Sequence, residues 1–579
     1  MTDAAAQVEA AKKALAEAEA ALAAEKAAAA APVVEPTPPV VEPTPPVVEP
    51  VETAPLTADQ VAAIRAGYSF DGLALEMGAL VNGEVMPDVP IRIPIAMLNR
   101  HGLVAGATGT GKTKTLQVLA EQLSAAGVPV FAADIKGDLS GIASPGVPDP
   151  KLLARTESIG QKWQPVASPT EYFTLGGQGI GIPIRATVSS FGPLLLSKVL
   201  GLNATQESSL GLVFHYADAA GLPLVDLGDL RAVLNWLVSD AGKPELKQLG
   251  GLSAATAGVI LRELIGFADQ GADVFFGEPE METSEFLKCD AEGRGLVSLL
   301  EIPGVQDRPA LFSTFLMWLL ADLFIDLPEV GDIDKPKLVF FFDEAHLLFK
   351  DASKDFIASI TQTVRLIRSK GVGIFFVTQT PKDVPNDVLA QIGSRIQHQL
   401  RAHTPDDAKA LKSTVSTYPT SGYDLAEVLT SLAIGEAIVT VMNERGAPSP
   451  VAWTRLRAPQ GSMSPTPAAT MQATVDASPL LAKYGTPIDN ESAREILAKK
   501  INAAAEATSA ADDAARVQAE YDKAVRDMQK ADRAAKKPTT TRTSTRKDKS
   551  VLEEVLGSRS GQTVIREVLR GVFSTLKRK

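Results

Sequence analysis

Cysteine is nearly missing from this chain. Cys289 stands alone among 579 residues, so no disulfide can form within the chain. The N-terminus is acidic and Ala-rich, unlike a secretory or transit peptide, and with so little cysteine this predicts a reducing, cytoplasmic setting. Long apolar runs are missing too. The longest extends from Pro309 to Ala321 and meets Asp322 and Asp326 just beyond. It is too short and too soon charged to span a bilayer; it reads as a buried core helix, and no integral membrane segment is expected. Positive charge is in deficit, with a formal net charge of −12. That argues against a uniformly basic nucleic-acid binder while leaving room for a ring that hides basic residues in a central channel. There is no zinc-ligand pattern, no winged-helix signal and no basic stripe with interleaved aromatics.

What is present is organised unevenly. Residues 1–60 carry 3 basic and 10 acidic side chains, whereas residues 530–579 carry 14 basic and 5 acidic. Residues 1–30 read as an Ala-rich helix, with Val8, Leu15 and Leu22 at heptad spacing. Residues 31–55 form a Pro-rich linker, in which a repeat starts at Pro32, recurs at Pro39 and begins again at Pro46; extended polyproline II suits it. The globular part is expected at 56–145 and 291–459, interrupted by an inserted, mainly helical subdomain at 146–290. A linker at 460–490, a charged Ala-rich helix at 491–537, a disordered basic segment at 538–549 and an amphipathic C-terminal helix at 550–579 complete the chain. In that last helix Val564, Ile565, Val568, Leu569, Val572, Phe573 and Leu576 make one apolar stripe. Docking on the protein itself is preferred for it over a partner protein or an anionic membrane.

The strongest chemical signal runs Gly106, Ala107, Thr108, Gly109, Thr110, Gly111, Lys112, Thr113. It fits G-x-x-x-x-G-K-[ST] in full, between an apolar strand signal at Gly102–Ala105 and a helix signal at Thr115–Ala120. Glycines let backbone N–H groups wrap a phosphate with no side chain in the way, and the helix N-terminus adds a favourable dipole. Lys112 is expected to reach the β- and γ-phosphates of ATP and Thr113 to bind Mg²⁺, with Lys114 at the edge of the site.

A second element follows 231 residues after Lys112. Leu338–Phe342 is five apolar residues long, as a strand buried on both faces of a parallel sheet requires, and Asp343 and Glu344 stand at its carboxyl end. Asp343 is assigned to the Mg²⁺ shell and Glu344 to polarising the attacking water. Asp343 to His346 also spells the box of a helicase superfamily, but those enzymes need two tandem domains and one set of motifs is found; His346 is read as a local structural residue. A third buried strand, from Gly373, ends at Gln379, a candidate γ-phosphate sensor. Asp134 and Lys136 follow the strand signal at Val128–Ala133 and could contact the nucleotide site or a neighbouring subunit. Arg365, Arg368, Arg395 and Arg401 are candidates for an arginine supplied in trans, with Arg395 or Arg401 preferred. The spacing between the two nucleotide motifs exceeds what a bare P-loop core needs, which is why a subdomain is placed between them.

Several strings together resemble one family. Asn99 to Thr113, Asp134 to Ser140, Phe275 to Pro279, Lys337 to Phe349, Val364 to Gly373 and Val377 to Gln379 are similar to the bacterial HerA-helicase-like family of the FtsK/HerA clade, over roughly Tyr68 to Pro459. The resemblance implies an α/β fold: a RecA-like P-loop NTPase core with a mainly parallel sheet, in a homo-hexamer. It implies a DNA-translocating ATPase, so double-stranded DNA is the expected partner, with a partner protein at the N- or C-terminal helix as a further one. The alternative is an ATPase switch that remodels or assembles proteins without nucleic acid. A scaffold with structural nucleotide is the third reading, and Glu344 with Gln379 argues against it.

Overall fold

In the computed structural model the described residues are 55–535, apart from short segments at 177–178, 249–250, 303–308, 332, 350–353 and 444. The expectations for residues 1–30, for nearly all of 31–55, and for 538–549 and 550–579 lie outside them.

Twelve strands among the described residues form one mixed sheet: β1 (Ala74–Asn82), β2 (Glu84–Pro94), β3 (Gly102–Ala105), β4 (Val130–Asp134), β5 (Thr170–Leu175), β6 (Ile182–Ile184), β7 (Val297–Glu301), β8 (Leu338–Phe342), β9 (Val372–Thr378), β10 (Ser394–Gln397), β11 (Glu436–Val441) and β12 (Ala452–Leu456). Their order is β2-β1-β12-β11-β10-β3-β9-β8-β4-β7-β5-β6. From β10 to β6 every neighbouring pair is parallel. From β10 through β11, β12 and β1 to β2 every pair is antiparallel. The division is only partly mirrored in burial, since antiparallel β11 is also buried throughout. β3, β4, β8 and β9 are buried at every position, as strands covered on both faces must be. β12 alternates buried and half-buried residues, which suits a sheet with one wetter face.

The helix Pro309–Asp326 is the buried core helix that the longest apolar run predicts. Its Phe315 meets Phe131 of β4 at 5.9 Å, and Phe131 in turn touches Phe286 at 5.0 Å and Phe340 of β8 at 5.3 Å. This aromatic cluster fixes β4 and β8, two of the strands whose ends carry acidic residues, relative to one another.

Two regions differ from expectation. Residues 146–290 do supply helices, among them Val188–Val199, Ala204–Ala219, Leu227–Val238 and Ala254–Asp269, but they also supply β5 and β6, which extend the main sheet. Residues 460–490, expected as a linker, hold helices Ala468–Ala477 and Pro479–Tyr484 with Met471, Val475, Leu480 and Tyr484 buried. The reason lies in long-range backbone bonds. Glu121, buried in the helix Lys112–Ala125, accepts the N–H of Gln460 and of Gly461 at 2.8 Å each. Further on, Thr466 donates to the Ser140 carbonyl at 2.7 Å.

The chain divides into two compact units, Met1–Leu497 and Ala498–Lys579. The helix Ala493–Ala535 begins in the first; its start is held by Asp229, whose Oδ1 accepts the Ser492 hydroxyl and the Arg494 N–H. The described part of the second unit is helical and almost wholly exposed. No helix among the described residues is long and apolar enough to cross a membrane.

Candidate active site

β3 delivers the chain into the phosphate loop. Gly106 N–H donates to Thr378 O at 3.2 Å and Ala107 N–H to Gln399 O at 2.8 Å, so both neighbouring strand ends pin the loop's entry. Any Cβ on Gly106 would sit 2.5 Å from the Cβ of His398; only glycine fits. Gly111, at φ +108, is the left-handed cap from which the helix Lys112–Ala125 starts. Lys112 is buried and its Nζ donates to Gly106 O at 2.7 Å and Ala107 O at 3.2 Å, folding the ammonium back over the loop. Burial pushes its pKa down, partly offset by the charges of Glu344 and Asp343. Gly109 supplies a second left-handed turn, while Thr110 closes the loop by donating to Ala107 O at 2.8 Å. Thr113 is half-buried and its hydroxyl has no hydrogen-bond partner among the described residues. Lys114 lies 3.4 Å from Gln117 Oε1, within the field of Asp138 and Asp134 rather than of the phosphate loop.

Asp343 and Glu344 stand at the carboxyl end of β8, both buried. Burial, and then the neighbouring Glu344 charge, raises the Asp343 pKa to about 6. Its Oδ1 takes the Glu344 N–H at 2.9 Å. Glu344 has φ +48, rare for a residue with a side chain and a form of strain found at functional sites. That turn is held by Ala345 N–H on Val377 O at 2.8 Å. Glu344 Oε1 accepts from Lys136 Nζ, and Oε2 lies 3.3 Å from His346 Nδ1 without hydrogen-bond alignment. A buried carboxylate whose charge reaches Lys112, and an unpartnered hydroxyl on the next residue, Thr113, suit Mg²⁺, which takes few protein ligands and keeps waters and phosphate oxygens as the rest.

Gln379 is exposed at the end of β9 and lines a cleft of about 190 Å³ with Ala107, Thr108 and Arg401. Arg401 donates to the carbonyl of Thr108 in its own phosphate loop at 3.2 Å. Arg395 is elsewhere: it bonds Thr417 Oγ1 at 2.8 Å and stands over the Tyr418 ring, in a cavity of about 710 Å³ behind the helix Pro405–Val415. Arg365 and Arg368 are exposed, away from these residues on the helix Lys354–Ile367 and the turn that follows. Asp134 makes its hydrogen bonds within its own loop, not to the phosphate loop. It accepts three backbone N–H groups of its own loop, from Gly137, Leu139 and Ser140 at 2.8, 2.9 and 3.1 Å.

Two histidines escaped the sequence reading. His398 is fully buried under the phosphate loop with Nε2 3.0 Å from Thr115 Oγ1; burial and the nearby Lys112 charge push its pKa down to about 3. His101 accepts the Ile374 N–H at Nδ1, so its proton sits on Nε2 and is donated to Val364 O at 2.7 Å. Neither carries a local pattern that would mark it. Arg155 is a third: it donates to Gly435 O at 2.7 Å, and Gly435 N–H donates to Thr110 O at 3.1 Å, bracing the loop from the far side.

A glycine-lined loop opening a helix, a buried lysine folded over it and an acidic pair at the end of a nearby buried strand define a P-loop ATPase that uses ATP with Mg²⁺. The match of residues 80–579 to the family described as Helicase HerA-like C-terminal places the chain in that family. It is 24% identical over 390 residues to a probable helicase of Methanocaldococcus jannaschii, covering 64% of this chain and 68% of that one. It is 24% identical over 384 residues to the DNA double-strand break repair helicase HerA of Saccharolobus solfataricus, covering 65% and 67%. Among solved structures it is similar to the plasmid coupling protein TrwB with a non-hydrolysable ATP analogue, at 16% identity and a TM-score of 0.48 over 72% of this chain and 95% of that one. VirB4 of Thermoanaerobacter pseudethanolicus is similar at 14% identity and a TM-score of 0.42, over 67% and 98%.

Proposed function

We propose that the protein is an ATP-driven motor that acts on double-stranded DNA as a ring of identical subunits. The observation that carries this reading is the meeting of Lys112, Asp343 and Glu344 around one phosphate loop, close enough that both carboxylates bear on the lysine's charge. DNA enters through the family and through the relative named as a DNA-repair helicase.

The loop N–H groups and Lys112 bind the triphosphate and neutralise its charge. Thr113 and Asp343 hold Mg²⁺, which supplies charge neutralisation on the phosphate oxygens. Glu344 orients the attacking water and takes its proton. Gln379, on the edge of the cleft beside Thr108, senses the γ-phosphate. Arg401, bonded to its own Thr108, serves its own subunit; Arg395 is the arginine offered to a neighbour.

The test is the ATPase rate with and without duplex DNA. A severalfold rise is expected, and loss of both basal and stimulated rates in Lys112→Ala. ATPase activity indifferent to duplex and single strands would remove the DNA reading and leave protein remodelling. Mixing Arg395→Ala with Lys112→Ala should restore part of the activity if subunits share sites; a monomer with full, concentration-independent activity would sink the ring.

A further inference from the structure

β4 and β8 are parallel neighbours, with Ala133 opposite Phe342 in the register. Two residues beyond Phe342 and three beyond Ala133 stand Glu344 and Lys136, whose side chains meet across the sheet edge. The two are unequal. The Glu344 side chain is 5% exposed and the Lys136 side chain 43%. Beside a buried carboxylate the lysine compensates charge, and its loss would destabilise the fold; charge compensation alone does not require that either partner be held in a fixed position. Both ends are instead fastened. The loop that presents Lys136 is tied down by the three N–H bonds to Asp134. The left-handed turn that presents Glu344 is tied by the Ala345–Val377 bond. The lysine engages Oε1 and leaves Oε2 without a hydrogen-bond partner.

We propose that Lys136 is a positioning residue for hydrolysis: it holds one oxygen of Glu344 so that the other is presented to the attacking water. This rests on Glu344 being the water-activating carboxylate. Lys136 then acts on turnover rather than on ATP affinity, because a misplaced base costs about 100-fold in rate while binding is made by other groups.

The experiment is steady-state ATPase kinetics on the full chain for Lys136→Met, Lys136→Arg, Glu344→Gln and the double variant Lys136→Met/Glu344→Gln. Lys136→Met should lower kcat by about 100-fold with KM for ATP within about threefold, and Lys136→Arg, which keeps charge and donor, should recover most of it. The double variant should be no slower than Glu344→Gln alone, since nothing remains to be positioned. A raised KM with unchanged kcat would make Lys136 a nucleotide contact and overturn the proposal. So would an equal Lys136→Met effect in the wild-type and Glu344→Gln backgrounds. Normal hydrolysis by Glu344→Gln is a different failure: it removes the assignment of the base itself.

Discussion

Two pairs of carboxylates, all buried but the half-buried Glu301, occupy the same edge of the sheet, one at the end of β8 and one at the ends of β4 and β7. Asp134 and Glu301 face each other in the register of β4 and β7, as close to the sheet's carboxyl edge as Asp343 and Glu344. Burial raises the pKa in both places: Asp343 to about 6, with Glu344 as the second cause, and Glu301 to about 8, with Asp134 as the second cause. Each pair leaves one oxygen without a hydrogen-bond partner, Glu301 Oε1 in one and Glu344 Oε2 in the other; the pairs differ in what lies around it. Asp134, beside Glu301, gives its oxygens to three N–H groups of its own loop, whereas Glu344 sits in a strained turn, close enough to the phosphate-loop lysine to bear on its charge. A perturbed carboxylate in an α/β edge is therefore a weak pointer to chemistry; what surrounds its free oxygen decides.

The widest separation between the pairs should appear in turnover. Glu344→Gln should cut kcat by on the order of 1000-fold while ATP binding persists, as removal of a general base requires. Glu301→Gln should leave kcat within about twofold. A large kcat loss at Glu301, measured in the same steady-state assay, would merge the two pairs into one functional cluster. A smaller effect is expected on stability. Asp134→Ala strands two buried N–H groups and one half-buried one and should lower the unfolding free energy by about 3 kcal/mol, seen as a shift in denaturant midpoint. Unchanged stability would mean that the loop does not depend on its carboxylate.

The smallest effect is in pH dependence. Glu301 has a folded pKa of about 8, above its unfolded value of 4.5. The folded state therefore holds a proton that the unfolded state releases, so the contribution to stability is present below pH 4.5 and lost as pH rises through 8. Glu301→Gln should remove this loss, giving a relative gain of on the order of 2 kcal/mol between pH 5 and 8 after allowance for its partial exposure. Thermal unfolding at the two pH values checks the sign; a variant that loses stability faster with rising pH reverses it.

Much of the site could be read from sequence because its signals are local. The phosphate loop is eight contiguous residues, and β8 and β9 announce themselves as apolar runs ending in polar residues. Asp134 was legible as a residue at the sheet edge but not in its partners, since a carboxylate that caps its own loop and one that points outward have the same sequence. His398 and Arg155 act on the loop from positions 286 and 43 residues away from Lys112, and no pattern links such distances. The flank β11–β12–β1–β2 joins the two ends of the folded body, a pairing that alternation within a single strand does not specify.

The same distance problem gives the bond between Glu121 and the backbone of Gln460 and Gly461 a practical meaning. A chain cut after Pro459, at the border that composition suggests, would not lose a tail. It would strip a wall from the helix that carries Lys112 and Thr113, and leave the Glu121 carboxylate without the two backbone N–H groups it receives, with only the Gln117 amide remaining. Where this protein can be shortened is set by the back of its phosphate-binding helix, not by the border that composition suggests.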